Sequence, residues 1–199
     1  MKYALVDDGF IVINVGYPST EYPLEALASM SVTQGLALCG LIRPVHFVTH
    51  SMGGILVRQY LEKHSIPALG RVVMLGPPNQ GSEVVDALGN MPGFELINGI
   101  AGEQLGTGPG SAPSRLGPAH FDLGVIAGTR SINPLLSTII PGSDDGKVAV
   151  ERAKLEGMND FIEMPVTHTF MMNNDDVIQQ VIYYLRNGSF QRFTADSEE

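Results

Sequence analysis

Short apolar runs rich in β-branched residues alternate along this chain with stretches whose apolar residues recur every three or four positions. That alternation constrains the fold more than any other feature of the sequence. Phe10–Val15, Val45–Val48, Arg71–Leu75 (RVVML), Leu123–Ala127 (LGVIA) and Phe161–Val166 (FIEMPV) are the runs. Nearly continuous apolar runs suit strands covered on both faces, as in a parallel sheet. Between the first two, Tyr22–Leu38 places Leu24, Leu27, Ala28, Val32 and Leu36 at helical spacing. Pro23 near the start and Gly40 past the end fit helix punctuation. Met52–His64 and Asp175–Arg186 predict two more helices, the latter with acids at its N-terminus and Arg186 near its C-terminus, as the helix dipole favours. Strands alternating with helices predict a three-layer α/β fold with a mainly parallel sheet, and 199 residues suit a single domain, 1–199.

From Gly89 to Pro118 the alternation stops, and glycines and prolines crowd the chain. This stretch reads as an irregular insertion bordering the site, with one short helical turn at Phe94–Ile97. The tail Ala195–Glu199 (ADSEE) is expected to be disordered. Twelve Lys+Arg against 21 Asp+Glu give a net charge of −9, which argues against nucleic acid and anionic membrane, since both need clustered cations. No run reaches the roughly 20 apolar residues of a membrane span. No apolar h-region precedes Asp7 and Asp8, so the expected location is cytoplasmic. Cys39 is the only cysteine, which excludes an intrachain disulfide and a cysteine-based zinc site.

The candidate chemistry sits where the run Val45–Val48 meets its helix, in Thr49-His50-Ser51-Met52-Gly53-Gly54. A nucleophilic serine on a strand-to-helix turn needs small residues two positions away so that the backbones can approach. Gly53 fills the downstream position, and Thr49 stands where the upstream glycine is usual. A serine needs a base to take its proton and a carboxylate to hold that base. His46 and His50 lie in or beside the serine's own strand, where reaching back to Ser51 is awkward; His64 ends a helix and His120 falls in the glycine-rich stretch. His168 follows the final strand, and in a parallel sheet it would share an edge with Ser51. The acid should follow the preceding strand, where Pro141-Gly142-Ser143-Asp144-Asp145-Gly146 forms a tight turn. Asp145 is the candidate and Asp144 its competitor.

Four segments together carry a resemblance: VHFVTHSMGG, RVVMLGPPNQGSE, PGSDDGKVAVERAKLEGM and PVTHTF. From about Phe10 to Phe190 the chain resembles a bacterial lipase/esterase of the α/β-hydrolase superfamily, near the lipase class 2-like group. The chain order Ser51, Asp145, His168 is the order of that superfamily. The resemblance implies a Ser–His–Asp triad, an acyl-enzyme, ester substrates, no cofactor, and the Met52 backbone N–H as one oxyanion donor.

The chain departs from that pattern at its start. Relatives carry an additional strand ending in a His-Gly loop that supplies the second oxyanion N–H, and this chain has no His-Gly pair. One such donor is worth roughly 2.7–4 kcal/mol of barrier. Two remedies are expected alternatives. Phe10–Val15 pairs directly with Val45–Val48 and brings the Tyr17 N–H beside Ser51, or two copies of the chain form a homodimer that completes the sheet. Pro77-Pro78-Asn79-Gln80 is expected at the pocket rim, with Asn79 or Gln80 touching substrate. Arg58 and Glu62, four apart on a helix, read as a solvated pair. The sequence therefore predicts a carboxylester hydrolase of short-to-medium acyl esters. The alternatives are a thioesterase or amidase with the same triad, or an impaired hydrolase fold kept as a binding or assembly module.

Overall fold

The computed structural model of the chain describes residues 1–89, 94–132 and 137–192. Four strands form one parallel sheet whose spatial order follows the sequence: β1 (Val45–His50), β2 (Leu69–Leu75), β3 (Leu123–Gly128) and β4 (Asp160–Met164). Helices α1 (Lys2–Asp7) and α2 (Leu24–Cys39) precede β1, and α3 (Met52–Leu61) links β1 to β2. Between β2 and β3 lie α4 (Glu83–Leu88), α5 (Phe94–Glu103) and α6 (Ala112–Arg115). The short helix α7 (Val150–Ala153) precedes β4, and a 3₁₀ turn (Met171–Asn173) leads into α8 (Asp175–Asn187).

Strand side chains alternate between faces, and two separate apolar clusters follow from that period of two. Val72, Met74, Val125 and Ala127 pack with Val32 of α2, Val57 of α3 and Val150 and Ala153 of α7. Val73, Leu75 and Ile126 pack on the opposite face with Leu5 of α1 and Val177, Val181, Tyr184 and Leu185 of α8. This is the three-layer α/β arrangement that the alternation of runs predicts. The boundaries of α8 also follow its local chemistry. The Asn174 side chain accepts from Val177 N–H at 3.0 Å, and Gly188 closes the helix at φ 78°, a left-handed value that glycine adopts without strain.

Two expectations fail here. Phe10–Val15 is not a strand, and β1 pairs only with β2 among the described strands. The segment still lies alongside, with the Phe10 ring edge-on to His46 at 6.2 Å and Val12 packed on the α8-side cluster. Apolar contact holds it there without ladder hydrogen bonds. Direct pairing that would bring the Tyr17 N–H to Ser51 is thus rejected. With no described strand on its outer edge, β1 is half-buried from His46 to His50, whereas β3 is buried throughout.

The stretch 89–118 is more regular than its composition implies, since α5 and α6 occupy much of it; residues 90–93 and the tail 195–199 lie outside the described residues. One of its glycines serves close backbone approach. Gly99 breaks α5 at φ 65°, ψ 179°, and a Cβ there would lie 2.2 Å from Thr20 Cα. Gln104 Oε1 accepts from the first amide of α2, Leu24 N–H, at 2.7 Å, so this stretch caps a helix distant in sequence.

Candidate active site

Because all four strands run parallel, their C-terminal ends share one edge, and the candidate residues gather there. Ser51 occupies the turn between β1 and α3 at φ 53°, ψ −125°, a positive φ that costs a non-glycine residue roughly 1–3 kcal/mol and persists only where neighbours enforce it. Its N–H donates to Leu75 C=O at 2.8 Å, which ties the turn to β2. A Cβ on Gly53 would stand 3.4 Å from Thr49 Cβ, and one on Gly54 2.9 Å from Met74 Sδ. A side chain at 54 would therefore have to displace Met74 or Pro77, whereas Gly53 meets Thr49 at ordinary contact distance.

His168 lies in the loop after β4 and is 3% exposed; Asp145 lies in the loop before α7 and is 2% exposed. His168 Nδ1 is 2.8 Å from Asp145 Oδ2, and His168 Nε2 is 2.9 Å from Ser51 Oγ. A carboxylate only accepts, so Nδ1–H donates to Asp145 and bare Nε2 accepts the Ser51 hydroxyl. The second carboxylate oxygen, Asp145 Oδ1, accepts from Lys147 N–H at 3.0 Å and Val148 N–H at 2.9 Å. Backbone joins the same loops, with His168 N–H donating to Asp145 C=O at 2.9 Å. Asp144 points elsewhere: its Oδ1 accepts from Gly146 N–H at 2.7 Å and Ser137 Oγ–H at 3.0 Å. Of the two acids, Asp145 alone reaches the imidazole.

The remaining candidates divide. Met52 is the first residue of α3, so its N–H has no intrahelical acceptor and stands beside Ser51. Tyr17 packs beside Met52, Leu24 and Leu27, and burial raises the pKa of its phenol. Its hydroxyl lies 3.7 Å from where a Gly53 Cβ would be.

Asn79 is not at a rim. It is 1% exposed, donating through Nδ2 to Ala153 C=O and accepting at Oδ1 from Arg58. Gln80 commits its amide to Glu151 and Lys154 C=O. Arg58 is not a solvated partner of Glu62 either. At 4% exposure it donates to the carbonyls of Asn79, Leu116 and Gly117, and burial lowers its pKa to about 10.

Sequence reasoning passed over three residues of this site. Gly76 directly follows β2 and Gly128 ends β3, and a Cβ on Gly76 would lie 2.9 Å from Asp145 Oδ2 and 3.1 Å from His168 Nδ1. On Gly128 it would lie 2.8 Å from Asp145 Cβ. A glycine at the C-terminal end of a strand, at the edge where Ser51 turns, is the signal that would have found them. His50 is the third. Gly76→Ala is expected to lower kcat about a hundredfold with KM little changed, because the methyl displaces the carboxylate–imidazole pair. Steady-state kinetics on a folded variant checks this, and a parent-like kcat would show that the pair relaxes around the methyl.

A parallel sheet between two layers of helices is a three-layer α/β fold. Solved structures with that fold match the chain. It is similar to the mature lipase BlEst2 of Bacillus licheniformis at TM-score 0.58 and 19% identity, covering 76% of this chain and 69% of that one. The propeptide form of that lipase gives TM-score 0.62 and 18% identity, over 92% of this chain and 44% of that one. Phospholipase PlaB of Legionella pneumophila gives TM-score 0.61 and 16% identity, over 94% and 55%. The chain thus spans about half the length of two of these structures. At such identities the likeness is one of fold. No family profile matches the sequence, and no curated protein matches it. Among the described residues no helix is long and apolar enough to cross a membrane.

Proposed function

We propose that the chain is a serine carboxylester hydrolase in which Ser51 is the nucleophile, His168 the general base and Asp145 the residue that orients it. The observation that carries this reading is the unbroken line from Asp145 Oδ2 through His168 to Ser51 Oγ, with links of 2.8 and 2.9 Å. Ser51 Oγ attacks the ester carbonyl carbon while its proton passes to His168 Nε2, and the Met52 N–H donates to the oxyanion. The C–O bond breaks, His168 returns the proton to the departing alcohol, and acyl-Ser51 remains. Water then repeats the sequence, releasing the acid and restoring Ser51.

Short-to-medium acyl esters are the proposed substrates. Ala101 of α5, Leu105 just beyond it and Ala112 of α6 are buried with Leu24, Leu27 and Ile55, so these residues contribute to the core. Thioesters and amides are open to the same chemistry, and leaving-group profiling separates them.

A second reading, a hydrolase fold retained for binding, draws on the edge of β1, onto which no described strand ladders. A fluorophosphonate probe decides between them, since it requires an activated serine. The parent is expected to label stoichiometrically at Ser51 and Ser51→Ala not at all. An unlabelled parent would overturn the enzyme reading in favour of the binding module.

A further inference from the structure

Adjacent residues on a strand face opposite ways, so Thr49 points towards Gly53 while His50 points towards the loop that carries His168. His50 Nε2 stands 2.9 Å from the His168 backbone carbonyl, and the two rings lie 4.8 Å apart at 47°. Residues 50 and 51 thus grip residue 168 from two sides, one at its carbonyl and the other at its imidazole. We infer that His50 is a positioning residue, whose Nε2–H bond to the His168 carbonyl and ring contact with the His168 ring hold the base in register with Ser51. This rests on the reading of His168 as the base.

A carbonyl only accepts, so Nε2 of His50 carries the hydrogen. The ring is neutral, with Nδ1 bare, because burial and then the neighbouring His168 lower its pKa to about 4. Lys147 lowers it further, while the hydrogen bond and Asp145 act in the opposite direction. Neutrality suits the role. During turnover His168 becomes a cation, and a charged ring less than 5 Å away would oppose it.

Three variants separate donor from ring. His50→Gln keeps an N–H near the position of Nε2. His50→Asn is too short to reach the carbonyl, and His50→Phe keeps a ring with no donor. With Gln, kcat is expected to stay within about threefold of the parent, whereas Asn and Phe lose about tenfold with KM within about twofold. The low-field proton resonance of His168 Nδ1–H is expected in the parent and in His50→Gln, and broadened by water exchange in the other two.

A drop in kcat that Gln does not rescue, or a sharp low-field resonance in Asn and Phe, would overturn the assignment. If the parent turns over no ester, the proposed function fails, yet the resonance comparison still decides the role of His50.

The titration has a sign. Between pH 6.5 and 4 the unfolded histidine takes up a proton that folded His50 refuses, so stability falls with pH across that window. His50→Gln is expected to flatten that fall in thermal midpoint, and an equal fall in both proteins would contradict a neutral His50.

Discussion

Asp145→Asn is expected to lower kcat about ten-thousandfold while leaving the fold intact. The geometry explains how a near-isosteric change does so. Lys147 and Val148 N–H both donate to Oδ1, so an amide here must present its oxygen to them. That turns the new NH2 towards His168 Nδ1, where the carboxylate Oδ2 stood at 2.8 Å. Two donors cannot face each other, so the imidazole moves its hydrogen to Nε2 and can no longer accept the Ser51 proton. Steady-state kinetics with an activated ester, run beside a urea titration, tests this. Asp144→Asn is the control: its oxygen serves Gly146 and Ser137, so it should cost about 1 kcal/mol of stability and leave the His168 contact in place. Equal losses of activity in the two variants would reject the assignment of Asp145.

The largest expected effect on stability belongs to Arg58→Met. Two terms oppose each other. Burial lowers the guanidinium pKa to about 10, a sign that the cation sits in an unfavourable medium, and methionine would relieve that. Against it stand the backbone carbonyls of Asn79, Leu116 and Gly117, which cannot be mutated away and lose their donors. An unsatisfied buried acceptor costs about 1–3 kcal/mol, but only Asn79 is buried, whereas Leu116 is half-buried and Gly117 exposed to water, so a net loss of about 2 kcal/mol is expected. The urea midpoint should fall with m unchanged. An unaltered midpoint would mean that water or other donors serve those carbonyls.

How much of this was legible in the sequence varies with the physics. The elements β1 to β4, α2, α3 and α8 were readable because burial on one face or two writes a period into the chain, as Val72/Met74 against Val73/Leu75 shows. Phe10–Val15 has the composition of a strand, but a strand also requires a neighbour with free hydrogen-bonding groups, and composition carries no record of one. The glycines from 89 to 118 misled for the opposite reason. Gly99 reads as a loop residue, whereas it makes room for Thr20 within α5. At the candidate site, Ser51, Asp145 and His168 were singled out by position after successive strands, and the structure brings them together. Asn79, Gln80 and Arg58 were not legible, because a polar side chain after a strand or on a helix looks the same in sequence whether it faces water or staples two loops. His50 was set aside for being too near Ser51 in sequence. Its importance lies in a contact with the loop after β4, 118 residues away.

The peptide unit of His168 is fastened on both sides, its N–H to Asp145 and its carbonyl to His50. Segments 50–51, 144–148 and 167–169 therefore constitute one heritable unit. A chimera that recombines this chain with a homologue between any two of them joins partners never fitted to each other. Crossovers upstream of β1 or within α8 leave all three from one parent.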